Sequence, residues 1–189
     1  PNQSPSHLSY IGIRYSKYEE IATSVRTISR PGNVNIEYNF PNLKRGNYRF
    51  EVFTEDESEN NLYRAREFGV KSVNYPSVRT PYELAAPLIY LMGKKEHDKM
   101  LAITDPVELK YQIDRFWLNN LQNKRIAQNV IELFYERVEE ANKQFSNYKE
   151  GWKTDFGFMY ILFGPPMYIT TNLSEVVWSY SHNLYDPET

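Results

Sequence analysis

The sequence contains no cysteine. That excludes a disulfide framework, thiol catalysis, and any cysteine-ligated zinc or iron–sulfur centre. Histidine is scarce: His7, His97 and His182 are the three in the chain, and no His-Glu-x-x-His pair is present. An excess of one charge is also missing. Lys and Arg number 22 against 24 Asp and Glu, a formal net charge of -2. Such a chain lacks the long-range field of a non-specific nucleic-acid binder. No long apolar run occurs. The longest, Phe156 to Phe163, falls well short of the roughly 20 residues a membrane-spanning helix needs. There is no Gly-x-Ser-x-Gly elbow, and Gly164-Pro165-Pro166 has neither the glycine spacing nor the Lys-Ser/Thr of a phosphate loop. No catalytic residue, metal site or cofactor site is therefore assigned from the sequence.

What is present is a chain of 189 residues, 41% hydrophobic, with 16 tyrosines. That length suits one or two small domains and buries a real core. Residues 1–75 read as strands. Val34, Ile36, Tyr38 and Phe40 alternate with polar residues, as do Tyr48, Phe50, Val52 and Thr54. Ile11, Ile13 and Tyr15, then Ile21 to Ile28, and finally Leu62 to Val70 continue the pattern. Turn formers separate them at Arg30 to Asn33, Pro41 to Asn47 and Glu55 to Asn61. The expectation is an antiparallel β-sandwich-like domain over residues 1–75, one or two strands short of an immunoglobulin-like fold.

Tyr75-Pro76 and Thr80-Pro81 mark a boundary, after which the hydrophobic period becomes helical. A short helix begins near Pro81 and is expected to end at Gly93. Lys94 to Ala102 reads as a polar helix. Asp105-Pro106-Val107-Glu108 is a helix start that contains a capping-box pattern. The longest helix is predicted from about Lys124 to Tyr148. Its stripe is Ile126, Val130, Phe134, Val138, Ala141 and Phe145, and Gly151 is its expected C-terminal cap. Phe158 to Phe163 is predicted as a buried strand, with Glu175 to Tyr180 as its partner. The overall expectation is an α+β chain whose helical region, over residues 80–189, packs on a small C-terminal sheet.

The stretch EGWKTDFGFMYILFGPP, with Gly151-Trp152-Lys153-Thr154-Asp155 at its head, resembles the core of the bacterial GWxTD domain family. Phe116-Trp117 resembles the family's Phe-Trp element. Tyr135 to Phe145 resembles its Tyr-x-Arg-Val-x-x-Ala-Asn-x-x-Phe helix. Gly164-Pro165-Pro166 and Trp178 follow in the family's order. The resemblance covers roughly residues 80 to 182. Departures fall at Leu118 to Asn123, Asn129-Val130, Phe156 and Met167, where relatives often carry polar or charged residues. These reduce any polar site built from those positions. The resemblance implies the fold and an exported, periplasmic or outer-membrane-associated setting, with a signal peptide or lipid anchor ahead of Pro1 compatible with it. It implies no reaction.

Trp152, Thr154 and Asp155 follow a helix stop, where Thr and Asp side chains cap local backbone N–H groups. The favoured reading is a structural turn that docks the long helix. The sharper reading is a ligand pocket in which Asp155 pairs with Arg115 or Arg137. Glu96-His97-Asp98 and Glu139-Glu140 read as solvated helix faces, because adjacent helical residues diverge. Lys44, Arg45 and Arg49 read as a basic turn serving solubility. Tyr10, Tyr15, Tyr18, Tyr63, Tyr75 and Tyr82 are candidates for exposed contact residues. The leading functional expectation is a non-enzymatic assembly subunit of the bacterial cell envelope. It would bind envelope proteins by pairing at a β edge, Ile11 to Tyr15 or Leu62 to Val70. The alternative is a carbohydrate- or peptide-binding protein, or a hydrolase, with its pocket at the GWxTD segment.

Overall fold

The computed structural model describes residues 18–29, 32–33, 35–40, 42–54, 62–121 and 123–181. The expected strand at Ile11 to Tyr15, His7, His182 and the acidic turn at 55–61 lie outside them. Among the described residues the chain is α+β, with five α-helices and two separate two-stranded antiparallel sheets.

β1 (Gly46–Phe53) pairs with β2 (Tyr63–Val70) in the register Gly46↔Val70 to Phe53↔Tyr63. Cross-strand pairs hold this hairpin. Tyr48 stacks on Phe68 at 5.5 Å, and Arg49 lies between Glu51 and Glu67. Among the described residues of 1–75 the expected sandwich is not seen. Residues 18–29 and 35–40 join no ladder. Tyr38 still packs edge-on against Phe50 of β1 at 5.4 Å. Period-2 alternation marks which side chains seek a common face, but it does not supply a strand to pair with.

α1 (Pro81–Ala85) starts as expected, with Thr80 and Glu83 forming a reciprocal capping box. It continues as a 3-10 turn, Ala86–Tyr90. Gly93 does not end this helix; it is the N-cap of α2 (Lys94–Leu101). α3 (Pro106–Asn120) begins at Asp105, whose side chain accepts from Val107 N–H. Glu108 completes no box there, accepting instead from Gln112 one turn on. α4 (Lys124–Gln144) is capped by Asn123 and ends at Phe145, so Gly151 does not terminate it. The stripe on α4 is buried only from Phe134 onward, through Val138 and Ala141; Ile126 and Val130 remain exposed.

The largest correction concerns Phe158 to Phe163. These residues belong to a helix, α5 (Asp155–Phe163). A short run apolar on all sides satisfies a buried strand and a buried helix equally, and the cap decides. Thr154 accepts from Gly157 N–H at 3.1 Å and so opens a helix. Gly157 and Ile161, one turn apart, form its buried face. β3 (Tyr168–Thr171) and β4 (Val176–Ser179) then pair with each other, and β4 does not pair with 158–163. The core gathers Leu88, Leu109, Ile113, Trp117, Phe134 and Val138, with Trp152 and Ile161 closing one end.

Candidate functional site

The GWxTD segment is a packing junction. A Cβ on Gly151 would lie 1.9 Å from the Ala141 carbonyl oxygen, and one on Gly157 would lie 1.9 Å from the Gly151 carbonyl oxygen. The 3-10 turn Gly151–Lys153 is thus clamped between α4 and α5 at distances only glycine permits. Trp152 is buried in the core, edge-on to Tyr90 at 6.0 Å. Its carbonyl accepts from the Tyr90 hydroxyl at 2.7 Å. Thr154 caps α5 and also donates to the Gly151 carbonyl at 2.7 Å. Asp155 occupies the first turn of α5, where a carboxylate meets the positive end of the helix dipole.

Buried Asn142 ties this turn to the chain before α1. Its amide donates to Pro76 O at 2.9 Å and accepts from Trp152 N–H at 3.2 Å. Its own carbonyl accepts from the Tyr75 hydroxyl at 2.7 Å. Tyr75 is therefore a buttress in this junction and not a free contact residue.

Among the described residues no salt bridge joins Asp155 to Arg115 or Arg137. Arg137 donates through Nη1 to the carbonyls of Ile161 and Leu162, at the far end of α5 from Asp155. There it satisfies carbonyls that the helix leaves open and complements the negative end of its dipole. Arg115 lies exposed on α3. Of the structural motif residues, Trp117 is buried against Phe134 at 5.5 Å, and Phe116 packs beside it. Gly164 ends α5 with φ of 81°, and Pro165-Pro166 leads on to β3. Trp178, on β4, stacks on Phe156 at 5.1 Å and reaches Phe145 at 5.4 Å.

The carboxylate that organises the region is Glu150, a residue the sequence reading passed over. It is buried, and it accepts from Arg45 Nε at 2.9 Å, from Lys153 Nζ at 2.9 Å and from the Trp152 indole N–H at 3.1 Å. Burial pushes its carboxyl up, but the charges and hydrogen bonds of Lys153 and Arg45 outweigh that and hold it below its ordinary value. Arg45 is thus an anchor between hairpin and helices, not a solubility feature. Lys71 does the same from the end of β2, donating to the carbonyls of Asn147 at 3.2 Å and Lys149 at 2.5 Å.

Two helical groups expected to be solvated are also engaged. His97 is buried, with Nε2 at 2.9 Å from Ala86 O, while Glu96 and Asp98 are exposed. Glu139 accepts from Val78 N–H at 3.1 Å and from the Ser77 hydroxyl. Among the described residues no group of three His, Asp or Glu could hold a metal. Glu150 could have been suspected as an acid set between a helix end and a Gly-Trp pair. No local pattern announces Lys71.

A cavity of about 580 Å³ lies between the β1–β2 hairpin and the helices, and Trp152, Glu150 and Lys153 form part of its wall. Of the five candidate binding residues only Trp152 lines it; Thr154, Asp155, Arg115 and Arg137 do not.

A glycine-clamped turn between two helices, tied by an amide and an ion-paired buried carboxylate, defines a small α+β domain with an architectural signature. The GWxTD domain model matches residues 48–189, and the chain belongs to that family. No curated protein and no solved structure matches it. The match begins inside β1, so the domain takes in the β1–β2 hairpin as well as the helices.

Proposed function

We propose that the chain is a non-enzymatic assembly subunit of a bacterial cell-envelope complex, working on the periplasmic or outer-membrane side. One observation carries this reading: the state of the β3–β4 hairpin. All four residues of β3 are exposed, and neither strand, YITT or VVWS, contains a charge or a proline. Ile169 is 58% and Val177 46% exposed. Proteins ordinarily guard sheet edges with charge, proline or cover. An unguarded edge recruits a partner strand by main-chain hydrogen bonds, with alternate side chains supplying selectivity. Of the two edges expected from the sequence, Ile11 to Tyr15 lies outside the described residues, and β2 carries Arg64, Arg66 and Glu67 and suits the role less well. No helix among the described residues is long and apolar enough to cross a membrane, so attachment would come through a partner or an anchor. The alternative, a carbohydrate- or peptide-binding pocket or a hydrolase at the GWxTD segment, has less support. Its residues are taken up in helix capping and core packing.

The test is purification of the native protein from detergent-solubilised envelope, beside the variant I169K/V177K. A stoichiometric, salt-resistant partner that the variant loses at unchanged melting temperature is expected. Recovery of the wild-type protein alone would sink the reading.

A further inference from the structure

The cavity beside Glu150 carries more positive charge than its structural contacts use. Five cations line it, Lys44, Arg45, Lys71, Lys94 and Lys153, against two carboxylates, Asp98 and Glu150. The whole chain carries a net charge of -2, so positive charge is concentrated here against the general balance. Glu150 is already engaged, held by Arg45, Lys153 and the Trp152 indole. Arg45 uses Nε and Nη2 on a single Glu150 oxygen. Lys44 and Lys94 are exposed on the cavity wall and form no ion pair among the described residues. Burial lowers the Lys71 pKa, and the nearby Lys153 and Arg45 add to that against the pull of Glu150. The wall between the cations is apolar: Val70, Ile89 and Leu101, with the half-exposed Tyr82 ring under the Arg45 guanidinium at 5.8 Å.

Cations held together in a partly dry cavity repel one another, and a bound anion removes that repulsion. Several lysine point charges, with the Nη1 side of the Arg45 guanidinium that its Glu150 contact leaves open, suit an oxyanion carrying more than one charge. The apolar wall suits an organic substituent on it. We propose that this cavity binds a small organic phosphate. Arg45, Lys71 and Lys153 face its phosphoryl oxygens, the organic part lies against Tyr82 and Leu101, and Lys44 and Lys94 draw it in. This site is independent of the β3–β4 edge and stands or falls separately from the assembly role.

The experiment is titration calorimetry of the whole chain at low salt with phenyl phosphate, inorganic phosphate and benzoate. Saturable binding of one phenyl phosphate is expected, tighter than inorganic phosphate or benzoate and weakened by added salt. The double variant K44E/K94E should bind at least about tenfold more weakly, with an unchanged melting temperature, since neither lysine supports the fold. Three results would overturn the proposal. One is phenyl phosphate binding weaker than about millimolar Kd. Another is benzoate binding equal to phenyl phosphate, and the third is an affinity that K44E/K94E leaves unchanged. Flotation with phosphatidylglycerol vesicles separates a lipid headgroup from a soluble ligand. Vesicle binding without phenyl phosphate binding also counts against it.

Discussion

Asn142 and Gly151 show how single residues hold the junction. Asn142 satisfies its buried amide on both sides, toward Pro76 and toward Trp152, so neither partner is left dry. Gly151 contributes by having no side chain. Gly151→Ala would place a methyl group 1.9 Å from the Ala141 oxygen. The expected loss is about 3–5 kcal/mol in chemical denaturation. A loss below about 1 kcal/mol would mean α4 and the 3-10 turn can part freely. Glu83 gives a pH prediction. Burial raises its pKa, but the N–H groups of Thr80 and Arg79 and the side chains of Ser72 and Asn74 lower it further, to about 2. A carboxyl depressed in the folded state stabilises it fully above the unfolded value near 4.5, and that contribution fades as pH falls toward 2. Melting between pH 6 and pH 2.5 should therefore show a loss that Glu83→Gln lacks. The size is about 1–2 kcal/mol, less than the full shift implies because nearby water screens the carboxylate. The capping box was expected at Asp105–Glu108 and formed instead at Thr80–Glu83, where burial of the carboxylate gives it leverage.

At the scale of elements, the two hairpins are held by few contacts. β3–β4 touches the helices chiefly through Trp178, on Phe145 and Phe156, and through the Tyr180 hydroxyl on Gly164 O. A two-stranded hairpin is marginal by itself in water. Trp178→Ala is thus expected to abolish amide protection at 168–171 and 176–179 while α4 keeps its slow exchange. Equal loss in α4 would show that the hairpin belongs to the core. α5 illustrates where pattern reading fails. Its residues are apolar on every side, so no period distinguishes helix from strand. Thr154 at its start and Arg137 at its end decide the matter, and Arg137 comes from a different helix.

At the scale of the molecule, the β1–β2 hairpin docks on the 147–150 segment through Arg45 on Glu150 and Lys71 on two carbonyls. The partners are about a hundred residues apart for Arg45 and somewhat fewer for Lys71. Arg45→Met leaves the buried Glu150 with Lys153 and the indole alone. Amide exchange across β1 and β2 should accelerate about tenfold or more, corresponding to roughly 1.4 kcal/mol, with the helical core unchanged. Exchange indistinguishable from wild type would show that the hairpin is held by other means.

Helix starts, stripes and the family signature are short-range properties. Caps act within four residues, and an apolar stripe repeats within a turn, so α1 to α4 and membership of the GWxTD family could be taken from the chain alone. The sequence likewise excluded thiol and cysteine–metal chemistry outright. Partner choice is long-range. Which ring Tyr38 packs against, whether 158–163 coils or extends, which acid Arg45 meets, and where five cations line a cavity depend on residues far apart in sequence. Only packing brings those residues together, because burial and Coulomb energies are set by distance in space rather than along the chain.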